Sequence, residues 1–434
     1  MKKILPVVLL LIISSFLVFY KYGQIPRGLA HDENEIARAA FSLENKTYTP
    51  FTTVADGHAT AYLYTLLFSF KIFGINQFAL RFPSRIFGIL NVLFFYLILE
   101  LIYKNHKEKI LTSCLPFRSP DFIGTKESFL ILSSLLLLTS RWFLHFSRVT
   151  YEVPFLLFFE LVSIYFLISF YQTKRRQNLF LLLSGLFAGL AFNSYQPGRI
   201  FFLVPIIALV YKKVEWKKIS YFLVTFIIII LPLSIYLIKN PGNDIRINQQ
   251  FFLKNSSLSV QKKAEFLGSN ITNTTLMFFT KGDINGHHNY TGKPALNPIL
   301  GVLLIAGLFI GFLKFRRDFY FLFFIFYFLI SLIPSLFTYP WENPNMLRTY
   351  TTLPSIIFFV SLATNYIIKL SEKINNLLKY LLFTSCFLLL VVSSFYELRT
   401  YFYYQPLVFK QAFDVPDYLP IIRQNAQRDD LWSF

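Results

Sequence analysis

Two adjacent carboxylates, Asp32 and Glu33, follow the first hydrophobic segment, within Gly28-Leu29-Ala30-His31-Asp32-Glu33-Asn34-Glu35-Ile36-Ala37-Arg38. Acids this close to the end of an apolar run are costly beside lipid unless they are hydrated, paired or used. A carboxylate within reach of a substrate hydroxyl can take its proton, and the pair is read as catalytic. A plainer part is also open to Asp32: with Glu35 three positions on, it fits a capping-box start for a helix through Ala39, Ala40 and Phe41. The two parts are compatible, because a residue at a helix start is held at a defined place.

Cations that could face an anion come next. Arg81 and Arg85, four apart in Arg81-Phe82-Pro83-Ser84-Arg85, can share a helix face. Guanidinium groups match phosphate oxygens bidentately; snorkelling to the headgroup layer is the alternative. Asp56-Gly57-His58 lies upstream, and Arg348 sits in a turn, Tyr339–Tyr350, that carries Trp341 and Tyr350 as interface anchors. Arg148 and Glu152, at i and i+4, could pair with no further role. Glu160 is an acid within an apolar run and is expected to face protein. The paired His287 and His288 on a Gly-rich loop could bind a metal or only hydrogen-bond, so a divalent metal is conceivable but not predicted.

The elements that carry these residues are membrane helices. Of 434 residues, 55% are hydrophobic and only 15% charged, against about a quarter charged in soluble domains. The chain is therefore read as an all-α polytopic membrane protein. Its net charge of +19 is gathered in short clusters between apolar runs, the signature of membrane orientation and not of nucleic-acid binding. Cys114 and Cys386 stand far apart and imply neither a disulfide framework nor a zinc site. Met1-Lys2-Lys3 opens an uncleaved first span, since no clean cleavage site follows.

Eleven runs approach the length of a crossing: Ile4–Tyr20, Ser84–Tyr103, Ser128–Trp142, Pro154–Tyr171, Leu179–Tyr195, Ile200–Tyr211, Ile219–Ile238, Leu296–Leu313, Phe319–Phe337, Leu353–Ile368 and Tyr380–Tyr396. Ala59–Phe73 is apolar too, but counting it would reverse everything after it. Left out, it puts Lys2/Lys3, Lys104/Lys107/Lys109/Arg118/Lys126, Lys174/Arg175/Arg176, Lys212/Lys213/Lys217/Lys218, Lys314/Arg316/Arg317 and Lys369/Lys373/Lys379 on the cytoplasmic side, as the positive-inside rule requires. Ala59–Phe73 is therefore predicted to lie along the outer interface. Residues 21–83, 145–151, 194–199, 239–295, 338–352 and the tail from Glu397 then share the outer face. Residues 1–396 form the transmembrane module, and 397–434 an outer C-terminal segment.

In the order of Asp32-Glu33, the Asp-Gly-His segment, Arg81-Phe82-Pro83-Ser84, Ser147-Arg148 with Glu152, Gly189-Leu190-Ala191, His288-Asn289-Tyr290-Thr291-Gly292-Lys293-Pro294 and Leu347-Arg348, the chain resembles bacterial members of the GT-C superfamily. These are relatives of the protein O-mannosyltransferases and aminoarabinose transferases, and the likeness runs over nearly the whole length. It implies a GT-C-like bundle of about eleven transmembrane helices with interfacial helices in the first outer loop. It also implies inverting transfer of a sugar from a polyprenyl-phosphate donor to a protein, lipid or glycan acceptor, at the outer face of a bacterial inner membrane and with no required cofactor. Asp32 is then the catalytic carboxylate, with Glu33 beside it. Arg81, Arg348, Arg85 and His58 face the donor phosphate, and Arg148, Glu152 and His288 support them. His58 departs from the aminoarabinose transferases, which have a lysine nearby. Relatives often carry a soluble domain after the last span, so the chain is expected to be a truncated or a minimal form.

Two rivals are set against this. A transporter or lipid flippase would use Glu160 and Glu152 in an ion path, yet no internal repeat is visible and ionisable residues gather in loops. An oligosaccharide ligase acting on a lipid diphosphate would want further arginines in Lys239–Ala295, which holds only Arg246.

Overall fold

The structure is a computed structural model that describes residues 4–104, 126–371 and 376–426. Lys2, Lys3, Lys107, Lys109, Cys114, Arg118, Lys373 and the end of the tail from 427 lie outside the described residues. In chain order the helices are α1 (Ile4–Phe19), α2 (His31–Phe41), α3 (Ala61–Phe73), α4 (Gln77–Lys104), α5 (Lys126–Thr139), α6 (Arg141–Phe146), α7 (Val153–Gln172), α8 (Gln177–Phe192) and α9 (Leu203–Tyr211). They continue with α10 (Trp216–Lys239), α11 (Ile245–Gln250), α12 (Val260–Phe279), α13 (Pro298–Lys314), α14 (Phe319–Leu336), α15 (Leu353–Ser371), α16 (Asn376–Arg399), α17 (Gln405–Ala412) and α18 (Leu419–Ala426).

Among the described residues, six helical stretches have the length and apolarity of a crossing: Gln77–Tyr103, Val153–Gln172, Trp216–Lys239, Phe319–Leu336, Tyr350–Ile368 and Tyr380–Ala412. Shorter apolar helices fall on the other five predicted spans: α1, α5, α8, α9 with the turn before it, and α13. The chain is an integral membrane protein. Helix α3, at 13 residues, measures about 20 Å at 1.5 Å per residue, much the same as the 14-residue α5. Close helix approach depends on small residues. A Cβ on Gly185 of α8 would stand 2.1 Å from the Phe222 carbonyl oxygen of α10, and one on Gly307 of α13 would stand 2.0 Å from that of Phe359 in α15.

The bundle has two unlike ends. At one, Gln172 donates to the Leu101 carbonyl at 2.6 Å, Lys218 donates to Gln177 at 3.3 Å, and the Lys212 ammonium lies 4.3 Å from the Phe319 ring centroid. The basic clusters that follow α7, α9 and α13 thus lie together. At the other end meet the segments predicted to share a face. Leu29 and Val415 exchange backbone hydrogen bonds of 3.0 and 3.2 Å, which ties the C-terminal segment to the first loop. Arg423 of α18 grips Glu44 bidentately. A hairpin of β1 (Phe51–Thr52) and β2 (His58–Ala59) sits between α2 and α3. Its turn needs Gly57, at φ +95, where a Cβ would stand 2.9 Å from the Phe51 ring. This hairpin delivers His58 to the same end.

Candidate active site

Helix α2 starts at His31, with Ala30 as its cap. This register settles the fate of the two acids. Glu33, not Asp32, reaches back to the Ala30 N–H at 3.1 Å. Its carboxylate also accepts Arg81 Nε at 2.8 Å and Nη2 at 2.6 Å, and the Thr150 N–H at 2.9 Å. Four donors occupy the roughly four lone-pair sites of a carboxylate. Burial pushes the Glu33 carboxyl up, but the Arg81 charge and these hydrogen bonds outweigh it and hold it below the usual range. Arg81 completes its own set on the carbonyls of Pro26 (2.9 Å) and Gly28 (2.6 Å). Both side chains are fully buried. The expectation that Glu33 acts on substrate and Arg81 on phosphate is therefore corrected: both side chains are sealed from solvent and their charges are spent on each other.

Arg85 and Arg148 are also buried beyond reach of a donor. Arg85 lies 4.3 Å from the Tyr22 ring centroid and 5.4 Å from that of Phe19. The supposed i,i+4 pair of Arg148 with Glu152 does not form. Arg148 instead closes off the end of α1, donating to the carbonyls of Leu17, Val18, Tyr20 and Ile25 at 2.7–3.0 Å, where a helix leaves its last carbonyls unpaired.

Consecutive helical residues point about 100° apart, so burying Glu33 turns Asp32 outward. The Asp32 side chain is 42% exposed. Tyr151 donates its hydroxyl to Asp32 Oδ2 at 2.9 Å, and His287 Nδ1 stands 3.9 Å from the same oxygen. Burial, reinforced by the Asp32 charge, pushes the Tyr151 phenol well above its ordinary range, so it stays a donor.

The next residue, Glu152, continues toward a groove of cations. Glu152 pairs with His58 Nδ1, and His58 Nε2 meets Arg246 Nη2 at 3.1 Å. His58 Nε2 also lies 3.0 Å from the Ala55 carbonyl, to which Arg246 Nη2 donates at 3.2 Å. Arg246, Arg199 and Arg348 line a cavity of about 330 Å³ whose other walls include Ile200, Leu253, Ile333 and Phe337. Arg199 pairs with Asp244; Arg348 donates to Gln250 and Glu342, each at 2.8 Å. Arg348 Nη1 and Arg199 Nε, both buried, have no hydrogen-bond partner. Tyr195, also in the wall, lies within electrostatic reach of Arg348 and Arg246 and of Glu152 and Asp32.

Neither a family model nor a curated protein matches the chain by sequence. Solved structures do. The oligosaccharyltransferase of Archaeoglobus fulgidus in its apo form superposes with a TM-score of 0.56 at 14% identity, over 94% of this chain and 56% of that one. ArnT from Cupriavidus metallidurans bound to undecaprenyl phosphate does so with a TM-score of 0.51 at 12% identity, over 98% of this chain and 78% of that one. The chain has the GT-C fold. A protein O-mannosyltransferase complex of S. cerevisiae, Pmt1-Pmt2 bound to the sugar donor, matches 60% of this chain and 37% of that chain at 15% identity, with a TM-score of 0.41 too low to add to this. The chain thus spans as little as about a third to a half of the length of some structures it resembles.

Within this GT-C fold, Tyr151-Glu152 links Asp32 to His58, and Arg348 lines the same cavity as the Arg246 that meets His58, whereas Arg81, Arg85 and Arg148 are fully buried. His288 is buried, with Nδ1 3.0 Å from Asp283 Oδ2 and its ring edge-on to Tyr151 with centroids 5.9 Å apart, and it is His287 that faces Asp32. Among the described residues no group of three or more His, Cys, Asp or Glu side chains gathers as a metal-ligand set. Glu160 accepts the Tyr327 hydroxyl at 2.7 Å between α7 and α14, apart from the Glu152–His58 pair. Sequence reasoning passed over Tyr151, Tyr195, Arg199 and Arg246. The available signal was the run Tyr151-Glu152 at the mouth of a span, and the isolation of Arg246 in a long loop.

Proposed function

We propose that this protein transfers a sugar from a polyprenyl phosphate to an acceptor, with inversion, at the membrane face that carries Asp32. One observation carries the proposal: a half-exposed carboxylate, Asp32, is linked through Tyr151-Glu152 and His58 to a cavity whose walls combine three arginines with apolar side chains. A polyprenyl phosphate has the matching shape, a charged head on a greasy tail. Asp32 takes the acceptor proton as the acceptor oxygen bonds to the anomeric carbon and the bond from that carbon to the phosphate oxygen breaks. The electron pair leaves with the polyprenyl phosphate. Arg348, Arg246 and Arg199 meet the growing charge, and fixed cations at that point lower the barrier. Glu152 and His58 hold Arg246 in place. The ArnT structure, bound to undecaprenyl phosphate, supports the choice of donor class.

The basic clusters at the opposite end support an outward-facing site in a bacterial inner membrane. With the native cysteines replaced, Lys46→Cys should react with an impermeant reagent added outside whole cells; protection there would reverse the sidedness. For activity, the full chain in lipid nanodiscs is incubated with undecaprenyl-phosphate-linked hexoses and pentoses, and release of undecaprenyl phosphate is followed. Consumption of one of them, with inverted configuration in the product, is expected. Retention of configuration would exclude single displacement.

A further inference from the structure

Resting on that assignment, we infer that His287 is an acceptor-binding residue and that the acceptor presents a hydroxyl, held between His287 Nδ1 and Asp32 Oδ2. The two atoms are 3.9 Å apart, too far for a direct hydrogen bond. A single oxygen can stand about 2.8 Å from both, as bridging waters do. Both side chains reach solvent, His287 at 25% and Asp32 at 42% exposure, so the gap is open to a ligand.

The histidine is held in place from several sides. Its carbonyl accepts His145 Nε2 at 2.6 Å. Burial pushes the His145 imidazole down to about 3, so this donor stays neutral and fixed. The His287 N–H bonds to Asn285 Oδ1 at 2.9 Å, and Asn285 is held in turn by Asp283 at 2.8 Å. Asn289 ties the loop to Arg141. On the open side, the Phe413 ring of the C-terminal segment meets the imidazole edge-on with centroids 5.8 Å apart. A loop braced in this way presents its side chain at a defined place, which a merely solvated histidine does not need.

The class of acceptor follows from the donors and acceptors present. An amide nitrogen brings two N–H donors and wants two acceptor groups, whereas a hydroxyl donates once and accepts. Among the described residues Asp32 is the carboxylate that faces His287 Nδ1, and in the tautomer with its proton on Nδ1 the imidazole supplies the complementary donor. The hydroxyl gives its proton to Asp32 while its other lone pair attacks the anomeric carbon.

The test is steady-state kinetics on the full chain in nanodiscs with the undecaprenyl-phosphate sugar it consumes. The acceptors are a serine peptide, an alkyl glycoside, and an asparagine peptide. His287→Ala should raise the KM for the hydroxyl acceptor about tenfold and leave both the donor KM and undecaprenyl phosphate binding unchanged. His287→Gln, which keeps a donor, should recover part of the loss. Undecaprenyl phosphate binding by each variant shows that it is folded. An unchanged acceptor KM in His287→Ala, or preference for the asparagine peptide, would overturn this inference while leaving glycosyl transfer standing. Wild-type protein that binds no undecaprenyl phosphate and consumes no donor overturns the underlying assignment as well.

Discussion

Two trios of arginines lie at the same end of this molecule and do different work. Arg81, Arg85 and Arg148 are fully buried, and their N–H groups go to Glu33, to backbone carbonyls or against aromatic rings. Arg199, Arg246 and Arg348 border a cavity; unpartnered nitrogens occur in both trios, on Arg85 and Arg148 as on Arg199 and Arg348. A guanidinium is suited to either task. What separates them is place: Arg81, Arg85 and Arg148 are closed off from solvent inside the bundle, whereas the other three line a cavity. The first trio fixes the loop that carries Asp32; the second lines the cavity in which we propose the donor phosphate sits.

This contrast can be broken from either side. The largest effect should come from the frame. Glu33→Gln leaves Arg81 buried without its counter-charge, a change that costs about 3–5 kcal/mol; thermal unfolding should show a strong drop and, where the protein still folds, undecaprenyl phosphate affinity should hold. In the groove the pattern should invert. Arg348→Ala or Arg246→Ala should weaken undecaprenyl phosphate binding by about 10- to 150-fold, as loss of a charged hydrogen bond does, with little change in unfolding temperature. Equal effects of both trios on binding would erase the distinction.

Acid sharpens it further. The Glu33 carboxyl is held below its usual range, so its contribution to stability is complete above the unfolded-state value and fades as pH falls through the folded one. Unfolding temperature should be flat near neutrality and decline below about pH 4.5, with a shallower decline in Glu33→Gln. The smallest effect is expected from Tyr151→Phe, which removes one hydrogen bond to a half-exposed carboxylate: about a three- to tenfold loss in kcat with donor affinity unchanged.

Much of the fold was legible because a membrane helix announces itself by length and composition, and each predicted span has a helix. The shared end of the loops followed from strict alternation. Asp32 was legible as an acid beside a span. Which of two neighbouring acids turns inward was not, because that depends on α2 starting at His31, one residue before the acid that looked like its cap. His287 and His288 pose the same problem in a loop with no period to read. Arg81 looked like a phosphate ligand for want of its partners, Glu33 and the carbonyls of Pro26 and Gly28, about fifty residues away. Arg246 looked solitary because its neighbours His58 and Ala55 lie in the first loop.

The most direct test of the central claim pairs two readings on one variant, Asp32→Asn in the full chain. Undecaprenyl phosphate binding should stay within about twofold of wild type, because the arginine groove is untouched, while sugar transfer falls by about 10²- to 10⁴-fold. Turnover close to wild type in that variant would contradict the account, whatever its affinity for the lipid.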